Sequence, residues 1–76
     1  MKRIILTERQ YSNGYGWGQY TYDEFPYTAR DEYYACKWAR RYNDYLKDCY
    51  TDGTGQITVY VLDGYDWHPC EKNYCA

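Results

Sequence analysis

A single long amphipathic pattern runs from Thr28 to about Lys47, and no second helix-length pattern exists to pack against it. Ala35, Trp38, Ala39, Tyr42, Tyr45, Leu46 and Cys49 recur at the three- and four-residue spacing of one helical face. Lys37, Arg40, Arg41, Asp44, Lys47 and Asp48 fall mostly opposite. Thr28 suits the N-cap, with Asp31 three residues on as the partner of a capping box. Asp31 and Glu32 open the helix while the basic residues come later, so the charges run with the helix dipole. One helix cannot bury its apolar stripe against itself, so the rest of the chain must supply a sheet.

The flanking segments have that character. Lys2 to Tyr11 and Tyr15 to Tyr22 read as strands joined through Asn13-Gly14, a strong two-residue hairpin signal. With that loop, Thr7 faces Tyr20 and Ile5 faces Tyr22. One face then carries Ile5, Thr7, Arg9, Tyr11, Tyr20 and Tyr22, and the other Ile4, Leu6, Tyr15 and Trp17. Asp48 to Gly55 is a turn-rich loop. Gln56 to Leu62 alternates Ile57, Val59 and Val61 with Thr58, Tyr60 and Leu62, and Asp63-Gly64 signals a second hairpin returning through Tyr65 to His68. In the two-residue register Val59 faces His68 and Ile57 faces Cys70, both pointing at the helix. The expectation is one α+β domain over residues 1–76: ββαββ, a small antiparallel sheet with the helix on one face. Trp38, Ala39, Tyr42 and Leu46 should be buried against Ile57, Val59 and Val61.

Composition decides whether such a fold has a core. Leu, Ile, Val and Phe supply only nine of 76 residues, a poverty typical of disorder. Thirteen Tyr and three Trp offset it, since each buries a large apolar body while its polar tip reaches water. One helix and a small sheet cannot absorb all these rings, so several must be exposed. Tyrosine with Asp, Asn, Gly and Arg is also the vocabulary of protein-binding surfaces, because its ring gives wide amphipathic contact with few rotamers to freeze.

The net charge of −2 is spread without a basic block, which disfavours duplex DNA or an anionic membrane as a partner. Ile4, Ile5 and Leu6 are too short an apolar run for a leader or a membrane span, so a cytosolic setting is expected. There the four cysteines should be thiols or metal ligands, with Cys36 and Cys49 as buried inert thiols. Cys49, His68, Cys70 and Cys75 form the fallback zinc set, although no pair of cysteines has the usual two-residue spacing; a Cys49–Cys75 disulfide suits an exported or oxidised chain. Folding is expected to need no metal or other cofactor. Catalysis has little support: there is one His and one Ser, no phosphate-binding loop, and only an Asp66/His68 pair on a common strand face.

Two resemblances bear on function. Gly14, Tyr15, Gly16, Trp17 and Tyr20 resemble the glycine–aromatic strand motif of cold-shock and RNA-recognition domains, although Asn13 and Gly18 depart from it. That resemblance implies base stacking on Tyr15, Trp17 and Tyr20. In size, acidic balance and tyrosine content the chain resembles small phage- or mobile-element-encoded inhibitors of the anti-CRISPR type. This second likeness implies a non-catalytic module that occludes a protein partner such as a basic nucleic-acid-binding complex. Tyr15, Trp17, Tyr20, Asp31, Glu32, Asp63 and Asp66 are its expected contact residues, and direct nucleic-acid binding is the alternative.

Overall fold

The computed structural model describes residues 1–70. Its elements are β1 (Lys2–Ser12), β2 (Gly16–Pro26), α1 (Ala29–Lys47), β3 (Ile57–Asp63) and β4 (Asp66–Pro69). The strands form one antiparallel sheet in the order β2-β1-β3-β4, and α1 rests on one face of it, over β3 and β1. The expected ββαββ architecture is present.

The two hairpins depart from their expected registers in different ways. In the first, Asn13-Gly14 is not the whole loop: Ser12 pairs with Gly16, leaving three residues in the turn. Tyr15 N–H donates to the Ser12 carbonyl at 3.0 Å, and Gly14 and Gly16 take φ of 90° and 76°, a region that favours glycine. One extra loop residue moves every partner to the other face. Tyr11 therefore lies opposite Trp17, and Thr7 opposite Thr21 rather than Tyr20. A second irregularity between Leu6 and Thr7 takes up Tyr22 as an extra residue, so Ile5 pairs with Glu24 rather than Tyr22. In the second hairpin Asp63 pairs with Asp66 across Gly64-Tyr65, a shift of two residues. A shift of two preserves the faces, so His68 and Cys70 remain on the helix side, now beside Val61 and Val59.

The helix begins where its cap dictates: the Thr28 hydroxyl accepts from Asp31 N–H at 3.0 Å. Its buried stripe is Glu32, Ala35, Cys36, Ala39 and Leu46. Small side chains at 35, 36 and 39 let the axis approach Ile4, Leu6, Ile57 and Val59, which complete the core; Val61 is only half-buried. Trp38 departs from expectation. It stands one helical step from Ala39, beyond the sheet contact, and is 39% exposed. It lies in a stack of three rings, 5.6 Å from Tyr22 and 5.0 Å from Tyr42. Burial, and then the Glu8 carboxylate, hold the Tyr42 phenol above its ordinary value of 10.0.

Asn43 ties the helix to the sheet. Its amide donates to the Ile57 carbonyl at 2.8 Å and accepts from Ile57 N–H at 2.7 Å, taking both backbone groups at the start of β3. The loop between α1 and β3 then closes over the end of β1. Gly55 N–H donates to the Arg9 carbonyl, Arg9 N–H donates to the Gln56 carbonyl, and a Cβ on Gly55 would stand 3.0 Å from Leu46.

Candidate functional site

Opposite the helix, no further layer covers the sheet among the described residues, and the corrected registers decide what stands there. Alternation along β1 sends Arg3, Ile5, Thr7, Arg9 and Tyr11 outward; their partners add Trp17, Gln19, Thr21, Thr58, Tyr60 and Leu62, and β4 adds Trp67. Ile5 and Thr7 are nevertheless buried, at 3% and 6% exposure, so the centre of this face is packed among its neighbours. The rings gather towards two ends. Tyr11 meets Trp17 edge-on at 5.4 Å in the outer half of the first hairpin, and Tyr60 meets Trp67 edge-on at 5.6 Å across β3 and β4. Tyr11 and Trp67 are at least half exposed, Trp17 somewhat less.

The polar groups of the face are largely engaged. Arg3 bonds Glu24 at 2.6 Å, and the Thr7 hydroxyl donates to Gln19 Oε1 at 3.0 Å. The Arg9 guanidinium lies over the Trp17 ring at 4.3 Å. A Cβ on Gly53 would stand 3.0 Å from Arg9 Nε, a buried nitrogen with no hydrogen-bond acceptor among the described residues. The guanidinium is thus held between an indole and the backbone of the loop. Both arginines of the face make internal contacts, Arg3 with the Glu24 carboxylate and Arg9 with the Trp17 ring.

The residues expected to make contacts separate into distinct places. Trp17 is on the open face, Tyr15 is 89% exposed at the turn, and Tyr20 is on the helix side, its ring folded over Gly18. The three rings do not form one stacking platform, because Trp17 and Tyr20 stand three residues apart on one strand and so point to opposite faces. Asp31 is exposed in the first helical turn. Glu32 is 6% exposed and cannot meet a partner directly; it lines a hollow of about 340 Å³ with Lys2, Tyr27, Val61 and His68. Asp63 and Asp66 are exposed and face each other at the end of the second hairpin. Tyr11, Tyr60 and Trp67, absent from the expected set, belong to the open face. Strand alternation alone could have indicated all three: Tyr11 follows Ile5, Thr7 and Arg9 along β1, Tyr60 alternates with Val59 and Val61, and Trp67 alternates with His68.

Among the described residues, the members of the fallback metal set are not gathered into a site. Cys49 is an exposed free thiol beyond the helix end, so it is neither buried nor bonded to Cys75. Cys36 is fully buried but disulfide-bonded, not the inert thiol expected, and Cys70 packs on the core with its sulfur 2.7 Å from that of Cys36. No group of three His, Cys, Asp or Glu side chains suited to a metal ion occurs among the described residues, and Cys75 lies outside them. No described helix is long and apolar enough to cross a membrane. No family model, curated protein or solved structure matches the chain, so its function must be argued from the chemistry of its own residues.

Proposed function

We propose that this protein is a non-catalytic binding module acting in the cytosol, which occludes the surface of a protein partner with its open sheet face. The observation that carries the reading is the presence of two aromatic pairs, Tyr11/Trp17 and Trp67 with the half-buried Tyr60, on a sheet face that no described element covers. Exposed rings on a rigid sheet supply contact area at low entropic cost, and aromatic residues are enriched at protein interfaces. Sequestration of Arg3 and Arg9, with the net charge of −2, favours a partner that is itself basic. Exposed Asp23, Asp31, Asp63 and Asp66 would meet such a partner around the edges of the domain. This is the mode of action implied by the resemblance to small phage-type inhibitors such as anti-CRISPR proteins.

One observation favours a second reading, single-strand binding: Trp17, Tyr11 and Arg9 share the open face, as a stacking site would require. Two measurements separate the readings. Affinity capture from lysate of the source cell, with nuclease treatment, should retain a partner with wild type and lose it with Trp17→Ala/Trp67→Ala. Retention by that variant overturns the protein-binding reading. Titration with a mixed-sequence oligonucleotide at low salt should show no saturable binding; binding that Trp17→Ala abolishes would establish the second reading instead.

A further inference from the structure

The irregularity in β2 has a consequence on the helix side of the sheet. By taking up one extra residue it brings both Tyr22 and the adjacent Asp23 to the cleft between β2 and α1, where strict alternation would have sent one of them away. Across the cleft, α1 presents Asp31, Tyr34, Ala35 and Trp38, spaced i, i+3, i+4 and i+7 on one side of the helix. The hollow is about 270 Å³, below the range of drug-sized ligand pockets and suited to one long side chain. No lysine or arginine lines it, while Asp23 and Asp31 both do.

We infer that this cleft receives an arginine side chain from the protein partner. Phe25 and Ala35 supply apolar wall for the methylene stem; Tyr22, stacked on Trp38 by one side, and Tyr34, which already has the Arg30 guanidinium 5.6 Å from its ring centroid, are each about half exposed and offer their remaining ring surface to a flat cation. Asp23 and Asp31 supply carboxylate oxygens for the guanidinium N–H groups. One Asp23 oxygen accepts Glu24 N–H at 2.8 Å, which fixes that carboxylate before a ligand arrives. The N-terminus of α1, with an effective charge of roughly +0.5, and Arg30 beside Tyr34 oppose a cation, together less than the two formal negative charges of Asp23 and Asp31. The inference rests on the proposed function only in taking a protein as the source of the cation; the cleft lies on the opposite side of the sheet from the aromatic face.

The test is an NMR titration of the whole protein with N-acetyl-arginine amide at low salt. N-acetyl-citrulline amide serves as the neutral isostere and N-acetyl-lysine amide as the non-planar cation. The expected result is saturable shifts at Tyr22, Asp23, Asp31, Tyr34 and the Trp38 indole with arginine, weaker ones with lysine and none with citrulline. Asp23→Asn/Asp31→Asn, whose melting curve should match wild type because both acids are exposed, should weaken binding roughly tenfold. Equal response to citrulline, shifts located elsewhere, or undiminished binding in the double variant would overturn the assignment. Partner capture keeps the two claims apart. If the titration fails while Trp17→Ala/Trp67→Ala still loses the partner, the cleft assignment falls and the open-face reading stands. If the titration succeeds while that variant keeps the partner, the reverse holds.

Discussion

The two faces of this sheet use different chemistry to do different work. Under the helix, the contact is made by aliphatic side chains, Ile4, Leu6, Ile57 and Val59, against alanine and cysteine, and most of the large rings stand at its margin. On the open face a single aliphatic side chain, Ile5, is buried at the centre, while Tyr11, Trp17 and Trp67 project with no layer over them among the described residues. A chain with nine residues of Leu, Ile, Val and Phe places six of those it has, Ile4, Ile5, Leu6, Leu46, Ile57 and Val59, in buried positions. Tyrosine does not replace the aliphatic core; it surrounds it. Burial therefore concentrates on the covered side, and the open side carries the projecting rings that the proposed binding would use.

The largest effect should come from emptying the covered face. Leu6→Ala should cost about 2–5 kcal/mol, a large part of the total stability of a domain this size, and be read by denaturant unfolding. A loss below about 1 kcal/mol would mean that the aliphatic contact does not hold the helix in place. Next comes the polar tie between the layers. Asn43→Ala leaves Ile57 N–H and C=O without their side-chain partner and should cost about 1–3 kcal/mol. Asn43→Asp should rescue it only in part, because a carboxylate can accept from Ile57 N–H but cannot donate to the carbonyl.

The aromatic rings should fall lower, and this divides the faces most sharply. Trp38→Ala removes a part-exposed ring from a stack and should cost about 1–2 kcal/mol, less than a buried tryptophan would. Trp17→Ala should cost about 1 kcal/mol or less by the same unfolding measurement, while partner capture is lost. If Trp17→Ala unfolds the domain as readily as Leu6→Ala, the open face is a second core and the contrast fails.

The smallest effect lies in the loop that holds Arg9. Asp52 accepts from the Thr54 hydroxyl at 2.6 Å and from Thr54 N–H at 2.9 Å, and these bonds, the side-chain one foremost, hold its carboxyl below the ordinary 3.8. A carboxyl depressed in the folded state stabilises it above the ordinary value, and that contribution is lost as pH falls through the folded value. Carbon-13 NMR should find the Asp52 midpoint below 3.8, and Thr54→Val should move it back towards 3.8. An unshifted midpoint in wild type would remove the Asp52–Thr54 turn from the account of how the loop is held.

The amino-acid order determined the elements by itself. Thr28 and the apolar spacing set the start and period of the helix, alternation in 57–62 set β3, and Asn13-Gly14 and Asp63-Gly64 marked where the chain reverses. These are local properties, written in neighbours a few residues apart. What each side chain faces was decided only by tertiary structure. The second hairpin shifted by two residues and kept its faces, so His68 and Cys70 remained where expected. The first gained one loop residue and then a bulge, which moved Trp17 to the open face and brought Tyr22 to Trp38. Glu32 and Trp38 exchanged their expected environments because the docking angle of the helix, not its period, selects which flank of the apolar stripe meets the sheet. A strand has a period of two, so a single residue of register reverses its whole surface, and the energy that selects the register comes from contacts distant in sequence.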